Sequence, residues 1–441
     1  MTLKKKSSSP TVFLHTLGCS KNDVDSQRFA GVFLRGGAEL VDSPEKAEWG
    51  FVNTCGFIVP AIEESLQAIF DLEELKVRGV LKAIGVIGCL YSRFGEELRK
   101  ELPEVDFWIP CEGWEELRAL LATETGDQGL PRRVRPASQF PWVRSLKIVE
   151  GCNNHCSYCT IPSIRGPLRS LPPEHLLEEA RILVEEGARE ICVIGQDITR
   201  YGEDLSSGIN LTGLLRELGG TLPEDIWLRL LYLHPLGIHE NFWKELLRIP
   251  QVIPYADVPI QHGSEAVLKR MNRKDSRKRL ESLFEVARSI SPSMVFRTTV
   301  MVGFPGEDEE AFEELLDLLR RVRFQRLGCF IYSPEEGTPG ASCSDQVDPS
   351  VARERMERVM ALQEEISLQH QETLVGTDLD VVVEQREGNI LLGRSYREAP
   401  DVDGCIEIDL PENPVPFGSR VRVRIVEALE HDLRGEILYD V

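Results

Sequence analysis

The chain has 441 residues, 42% hydrophobic and 28% charged, the composition of an ordered globular protein of two to four domains rather than a disordered chain. No run approaches the ~18 apolar residues of a membrane span, which excludes a transmembrane role. Acidic residues outnumber basic ones 72 to 51, for a formal charge of -21; that excess disfavours a polynucleotide partner, whose phosphates are bound through Lys and Arg, and favours a basic one.

Residues 1–10, MTLKKKSSSP, read as a flexible tail without a cleavage site, which points to the cytoplasm. From 11 to 120, the short apolar segments TVFLHTL, WGFVNT, AIGVIG and DFWIP alternate with helical patterns. This predicts an α/β domain with a mainly parallel sheet. Residues 121–143, rich in Gly, Pro and Arg, read as a linker.

From 144 to 370 come six candidate strands, SLKIVE, REICVIG, IWLRLLY, IPYADVP, VFRTTVMV and RLGCFIY. Six strand-helix units are too few for a closed eight-stranded barrel, so a partial barrel of six parallel strands is expected, closed by the amphipathic helix VARERMERVMALQEEISLQHQ. From 371 to 441, β-rich segments joined by Gly, Pro and Asp turns predict a small all-β barrel, acidic with 16 Asp and Glu against 7 Lys and Arg.

Eleven cysteines, an odd number in a chain without a signal peptide, argue for metal or catalytic use rather than a disulfide framework. Cys152, Cys156 and Cys159 lie in EGCNNHCSYCTIPSIRG, directly after SLKIVE. Their CxxxCxxC spacing differs from the paired CxxC arms of a structural zinc site. An iron-sulfur cluster takes four cysteines; with three nearby, one iron is left for an exogenous ligand. Cys19, Cys55 and Cys89 are 36 and 34 residues apart, and each ends or follows an apolar strand. The carboxyl ends of parallel strands share one edge, where ligands bind, so these three are expected to form a second three-thiolate site. Cys111, Cys192, Cys329, Cys343 and Cys405 read as packing residues.

CxxxCxxC with Tyr158 before the last cysteine resembles the signature of radical S-adenosylmethionine (SAM) enzymes, and the whole chain is similar to the methylthiotransferases among them. The resemblance implies that Cys152, Cys156 and Cys159 hold a 4Fe-4S cluster that binds SAM and cleaves it to a deoxyadenosyl radical. It implies further that Cys19, Cys55 and Cys89 hold an auxiliary 4Fe-4S cluster where sulfur is methylated by a second SAM, and that the C-terminal barrel is a TRAM domain. An electron donor and a sulfur source, both unidentified, are implied partners.

TLGCSKNDVDS, NTCGFI, the Gln196-Asp197 pair, PIQHGSE around His262 and GCFIYSPEEGT resemble the branch that modifies the β-carbon of an aspartate in small-subunit ribosomal protein twelve, free or in the ribosomal particle. The tRNA branch typically has Asn after that Gln and Ser in place of that His, so tRNA adenosine methylthiolation is the alternative. A non-catalytic RNA-binding iron-sulfur protein is the alternative of another class. Charge supports the first reading, because an acidic enzyme complements a basic ribosomal protein.

Gly303 and Gly306 in RTTVMVGFPGED follow a predicted strand, and the resemblance implies a SAM pocket there; plain turn glycines are the other reading. Arg165 either contacts a SAM carboxylate or pairs with an acid. His155 reads as loop filler rather than a ligand.

Overall fold

A computed structural model describes residues 10–121, 130–136, 140–239, 241–411 and 413–438. The expected tail, apart from Pro10, and residues 122–129 and 137–139 of the expected linker lie outside the described residues. No described helix is long and apolar enough to cross a membrane.

Among the described residues, the first unit runs β1 (Thr11–Thr16), α1 (Ser20–Arg35), β2 (Glu39–Val41), β3 (Trp49–Thr54), α2 (Val59–Val77), β4 (Ala83–Gly88), α3 (Cys89–Glu101), β5 (Phe107–Ile109) and α4 (Trp114–Leu120). The strands form a parallel sheet in the order β2-β1-β3-β4-β5. All six residues of β4, AIGVIG, are buried, as in a strand covered on both faces. One face packs Phe29, Phe33, Trp114 and Leu117 of α1 and α4, and the other packs Ile69, Leu72 and Leu90 of α2 and α3. Strand order reverses between β1 and β3, and such switch points open a crevice at the carboxyl ends of the strands.

The second unit comprises β6 (Val143–Lys147), β7 (Val149–Glu150), α5 (Ile161–Arg165), β8 (Arg169–Ser170), α6 (Pro173–Glu185), β9 (Glu190–Ile194), α7 (Leu211–Thr221), β10 (Trp227–Leu230), α8 (Phe242–Leu246), β11 (Val252–Asp257), α9 (Glu265–Arg270), α10 (Arg277–Ile290), β12 (Val295–Val302), α11 (Glu309–Val322), β13 (Arg326–Ile331) and α12 (Pro349–Glu372). Its six long strands form a parallel sheet in the order β6-β9-β10-β11-β12-β13. These are the six strands expected from the sequence, in chain order. Helix starts are set locally: Ser276 accepts the Arg279 N–H and Asp308 the Ala311 N–H, each satisfying an otherwise unpaired donor. The first unit docks through α1, where Val24 packs on Cys192 and Ile194 of β9 and on Leu231 and Tyr232.

The third unit is a closed barrel of β14 (Asp378–Glu387), β15 (Ile390–Arg394), β16 (Ile406–Asp409), β18 (Leu433–Ile437) and β17 (Arg420–Ala428). It joins the six-stranded sheet at the amino ends of the strands. Arg394 sets Nη2 3.1 Å from Glu190, the first residue of β9, and Arg326, the first residue of β13, sets Nη2 3.0 Å from Glu398. The carboxyl ends of the strands are therefore left to the first unit.

Candidate functional site

Cys19 caps α1 just after β1, Cys55 follows β3 and Cys89 opens α3 at the end of β4. The chain is crowded there. Gly18 abuts the Cys55 side chain and Gly56 abuts the Cys89 backbone. The three cysteines thus meet at one sheet edge, beside the switch point between β1 and β3. Burial pushes the Cys55 thiol up to about 11, and the neighbouring Cys89 and Cys19 sulfurs add to the rise.

The Cys89 sulfur is solvated by protein. Cys111 donates to it at 3.7 Å and Arg165 donates Nη2 at 3.3 Å. The Cys111 hydrogen bond and the Arg165 charge together lower the Cys89 thiol despite its burial, while the same hydrogen bond and its own burial raise Cys111. Cys111 is therefore a hydrogen-bond donor to the Cys89 sulfur, a role its reading as a packing residue missed.

The second trio lies in the loop between β7 and α5. Cys159 donates its N–H to the Cys156 carbonyl (3.0 Å), and the Asn154 N–H points at Cys152 Sγ (3.5 Å). Asn154 in turn gives Nδ2 to Asp197 (2.7 Å) and receives Arg200 (3.0 Å). Ser157 bonds the carbonyls of Met271 and Arg270, and Asn272 bonds the carbonyl of His155. His155 thus serves the loop through its backbone. Burial raises the Cys152 thiol and pushes Cys159 up to about 12, with Cys156 nearby adding to both.

Gly303 and Gly306 have φ of 75° and 79°. A Cβ would lie 2.6 Å from the Ala352 Cβ at the first and 2.5 Å from the Arg270 guanidinium at the second. Both positions favour glycine through their backbone, and Gly303 through space as well, since the Arg270 side chain at Gly306 can swing away. The turn they make lies beside the second trio, with Phe304 edge-on to Tyr158.

Between the trios runs a buried charge network. Lys147 pairs with Asp25 and, at 2.6 Å, with Glu150; Arg165 Nη1 pairs with Asp25 at 2.9 Å and Glu150 at 3.0 Å. Arg165 Nη2 also bonds Asn22 at 2.6 Å, and Gln196 bonds Glu150 at 2.8 Å. Burial alone would raise Glu150, but Lys147 and Arg165 overcome it and hold the carboxyl at about 2. Of the two roles open to Arg165 in the sequence, it takes the pairing with acids, and it adds a contact to Cys89. Lys147, Asp25 and Glu150 were not singled out from sequence, because Asp25 is far from the other two in the chain.

Among the described residues, no three His, Cys, Asp or Glu side chains surround one point closely enough for a single metal ion. A four-iron cluster asks for something else, one thiolate per iron. Two separate sets of three unpaired cysteines, each at the carboxyl end of a sheet, fit that donor chemistry.

Three family models match the chain: the Radical SAM superfamily over 146–319, an uncharacterized protein family, UPF0004, over 11–110, and the TRAM domain over 375–438. In structure the chain is similar to the radical S-adenosylmethionine methyltransferase TsrM from Kitasatospora setae (TM-score 0.56, 14% identity, 86% of this chain and 79% of that one). In sequence it is 41% identical to the ribosomal protein uS12 methylthiotransferase RimO of Geotalea uraniireducens, over 97% of this chain and 98% of the relative. It is also 41% identical to that of Carboxydothermus hydrogenoformans, over 97% and 99%. Likeness at that level along nearly the whole length, with the expected three-part fold, places the chain in the RimO family of ribosomal protein uS12 methylthiotransferases.

Proposed function

We propose that this radical SAM methylthiotransferase adds a methylthio group to the β-carbon of an aspartate in ribosomal protein uS12, in the cytoplasm, using two 4Fe-4S clusters. Cys152, Cys156 and Cys159 would hold one cluster and Cys19, Cys55 and Cys89 the other. When bound, the first group with SAM supplies a carbon-centred radical and the second a site for sulfur. The observation that carries this reading is Arg165, which ends α5, the helix that follows the loop of one trio, and contacts a sulfur of the other.

The chain's own residues prepare the chemistry. The Cys111 hydrogen bond and the Arg165 charge lower the Cys89 thiol and so favour the thiolate, the form that binds iron. The buried Lys147, Asp25, Glu150 and Arg165 network pairs the two units across their seam. The Asn154, Asp197 and Arg200 chain holds the loop of the other trio.

The test is mass analysis of uS12 and of matching tRNA after incubation with the reduced, reconstituted protein, SAM and sulfide. A methylthio group on the uS12 aspartate is the expected result. Modification of tRNA alone, or no SAM cleavage at all, would overturn the reading, and iron near four rather than eight per chain would overturn the second cluster.

A further inference from the structure

Lys21 is the second residue of α1, two positions after Cys19. Its side chain crosses to the six-stranded unit and sets Nζ 3.1 Å from the centroid of the Tyr232 ring, just past the carboxyl end of β10. The residue is only 8% exposed. Yet, among the described residues, no carboxylate pairs with its ammonium.

The neighbouring cations differ. Lys147 and Arg165 share Asp25 and Glu150, Arg297 faces Asp257 at 3.3 Å and Asp403 at 3.5 Å, and Arg200 has Glu203 at 2.8 Å. An aromatic face compensates a buried ammonium only in part, and a cation removed from water without a counter-charge is costly. In a chain with a 21-charge acidic excess, a buried lysine left without an acid is a place for an incoming anion.

Tyr232 is built to hold that ammonium. It has φ of 65°, an outlier for a bulky residue and a conformation that persists only where surroundings enforce it. Its N–H bonds Asp257 at 3.0 Å and its carbonyl accepts the Ile198 N–H at 3.2 Å. The cation that reaches the early cysteine trio is Arg165, whereas the Lys21 ammonium lies over Tyr232 past the carboxyl end of β10. The substrate carbon must come close to that trio, and the substrate proposed above carries a carboxylate on that carbon.

We propose that Lys21, held over the Tyr232 ring, binds the side-chain carboxylate of the target aspartate and so presents its β-carbon to the Cys19, Cys55 and Cys89 site. This rests on the function proposed above. The experiment compares wild type, Lys21→Gln and Lys21→Arg, each with iron content measured, on uS12 carrying either the native aspartate or asparagine. Wild type is expected to prefer aspartate, with KM for the asparagine form raised roughly tenfold to a hundredfold, as for loss of one charge-assisted hydrogen bond.

Lys21→Gln should raise KM for native uS12 by a similar factor and abolish the preference, while Lys21→Arg recovers much of it. Equal KM and unchanged preference in Lys21→Gln overturn the inference. If Lys21→Gln does not hold iron, Lys21→Arg and the wild-type comparison decide: no aspartate preference in either also overturns it. A wild type that leaves uS12 unmodified would instead be a failure of the proposed function.

Discussion

Arg165 sets Nη2 3.3 Å from the sulfur of Cys89, across the seam between the first and second units. The same guanidinium carries two buried carboxylates, Asp25 and Glu150. Arg165→Met would leave those acids with Lys147 as their one cation, a loss of roughly 3–5 kcal/mol for breaking a buried pair, and would remove the cation beside Cys89. Thermal melting is expected to shift down and iron per chain to fall toward half. Arg165→Lys should be intermediate, because a point charge cannot span Asp25, Glu150, Asn22 and Cys89 at once. Full iron and an unshifted melt in Arg165→Met would refute this account.

Cys111 is expected to be dispensable for iron but reactive without it. Its sulfur lies 3.7 Å from that of Cys89, close enough for a disulfide after a small rotation. In the chain stripped of iron, diamide should join the two: the sulfurs together give up two electrons, which with two protons from the thiol and solvent reduce the azo group to a hydrazine. Peptide mass mapping should find the Cys89–Cys111 link in the stripped protein and not after reconstitution. Cys111→Ser should keep the wild-type iron content, whereas Cys89→Ser should lose iron.

What could be read from the sequence is what is local. The six strands of the second unit and the barrel segments follow from apolar runs, the later trio from its own close spacing, and the early trio from cysteines at strand ends, since a parallel sheet brings strand ends together whatever the tertiary detail. β2 escaped because three residues, ELV, only partly buried, carry no pattern. The Lys147 to Asp25 and Arg165 to Cys89 contacts join residues 122 and 76 positions apart, and no spacing links them. Cys111 is a different case. β4 pairs with β5 so that Ile87 faces Ile109, and two residues on from each, just past the strand ends, stand Cys89 and Cys111. The sequence held that signal, but it needed the register of a three-residue strand.

Glu307 and His262 face each other in the interior, 3.9 Å apart. Burial raises the Glu307 carboxyl to about 7 even though Arg355 opposes it, and burial lowers His262 to about 3. Raised in the folded state, Glu307 contributes stability that is full below its unfolded value near 4.5 and lost as pH rises through about 7. His262 acts in the opposite sense, with stability lost as pH falls from 6.5 toward about 3. Glu307→Gln removes only the first limb. Relative to wild type, the variant should therefore gain up to about 3 kcal/mol between roughly pH 5 and pH 8. Melting at both ends of that window checks it, and a pH-independent difference would contradict the assignment.

Arg394 fixes the terminal barrel through a single buried acid. Glu190 receives both Arg229 and Arg394, and Arg394 also binds Glu384 at 2.6 Å. Burial would raise the Glu190 carboxyl, but the two guanidinium groups hold it below the usual range. Arg394→Met leaves that charge half-compensated, so the barrel should loosen and protease should cut between Glu372 and Asp378, where α12 gives way to β14. Replacing both partners, Glu190→Gln with Arg394→Met, removes the stranded charge and should recover part of the loss, because a buried pair costs more to break than to delete. Limited proteolysis and melting of the two single variants and the double variant measure the coupling. Additive losses would mean that the barrel is held by its other contacts, the Arg326–Glu398 pair and the apolar cluster around Tyr255 and Ala399, rather than by this arginine.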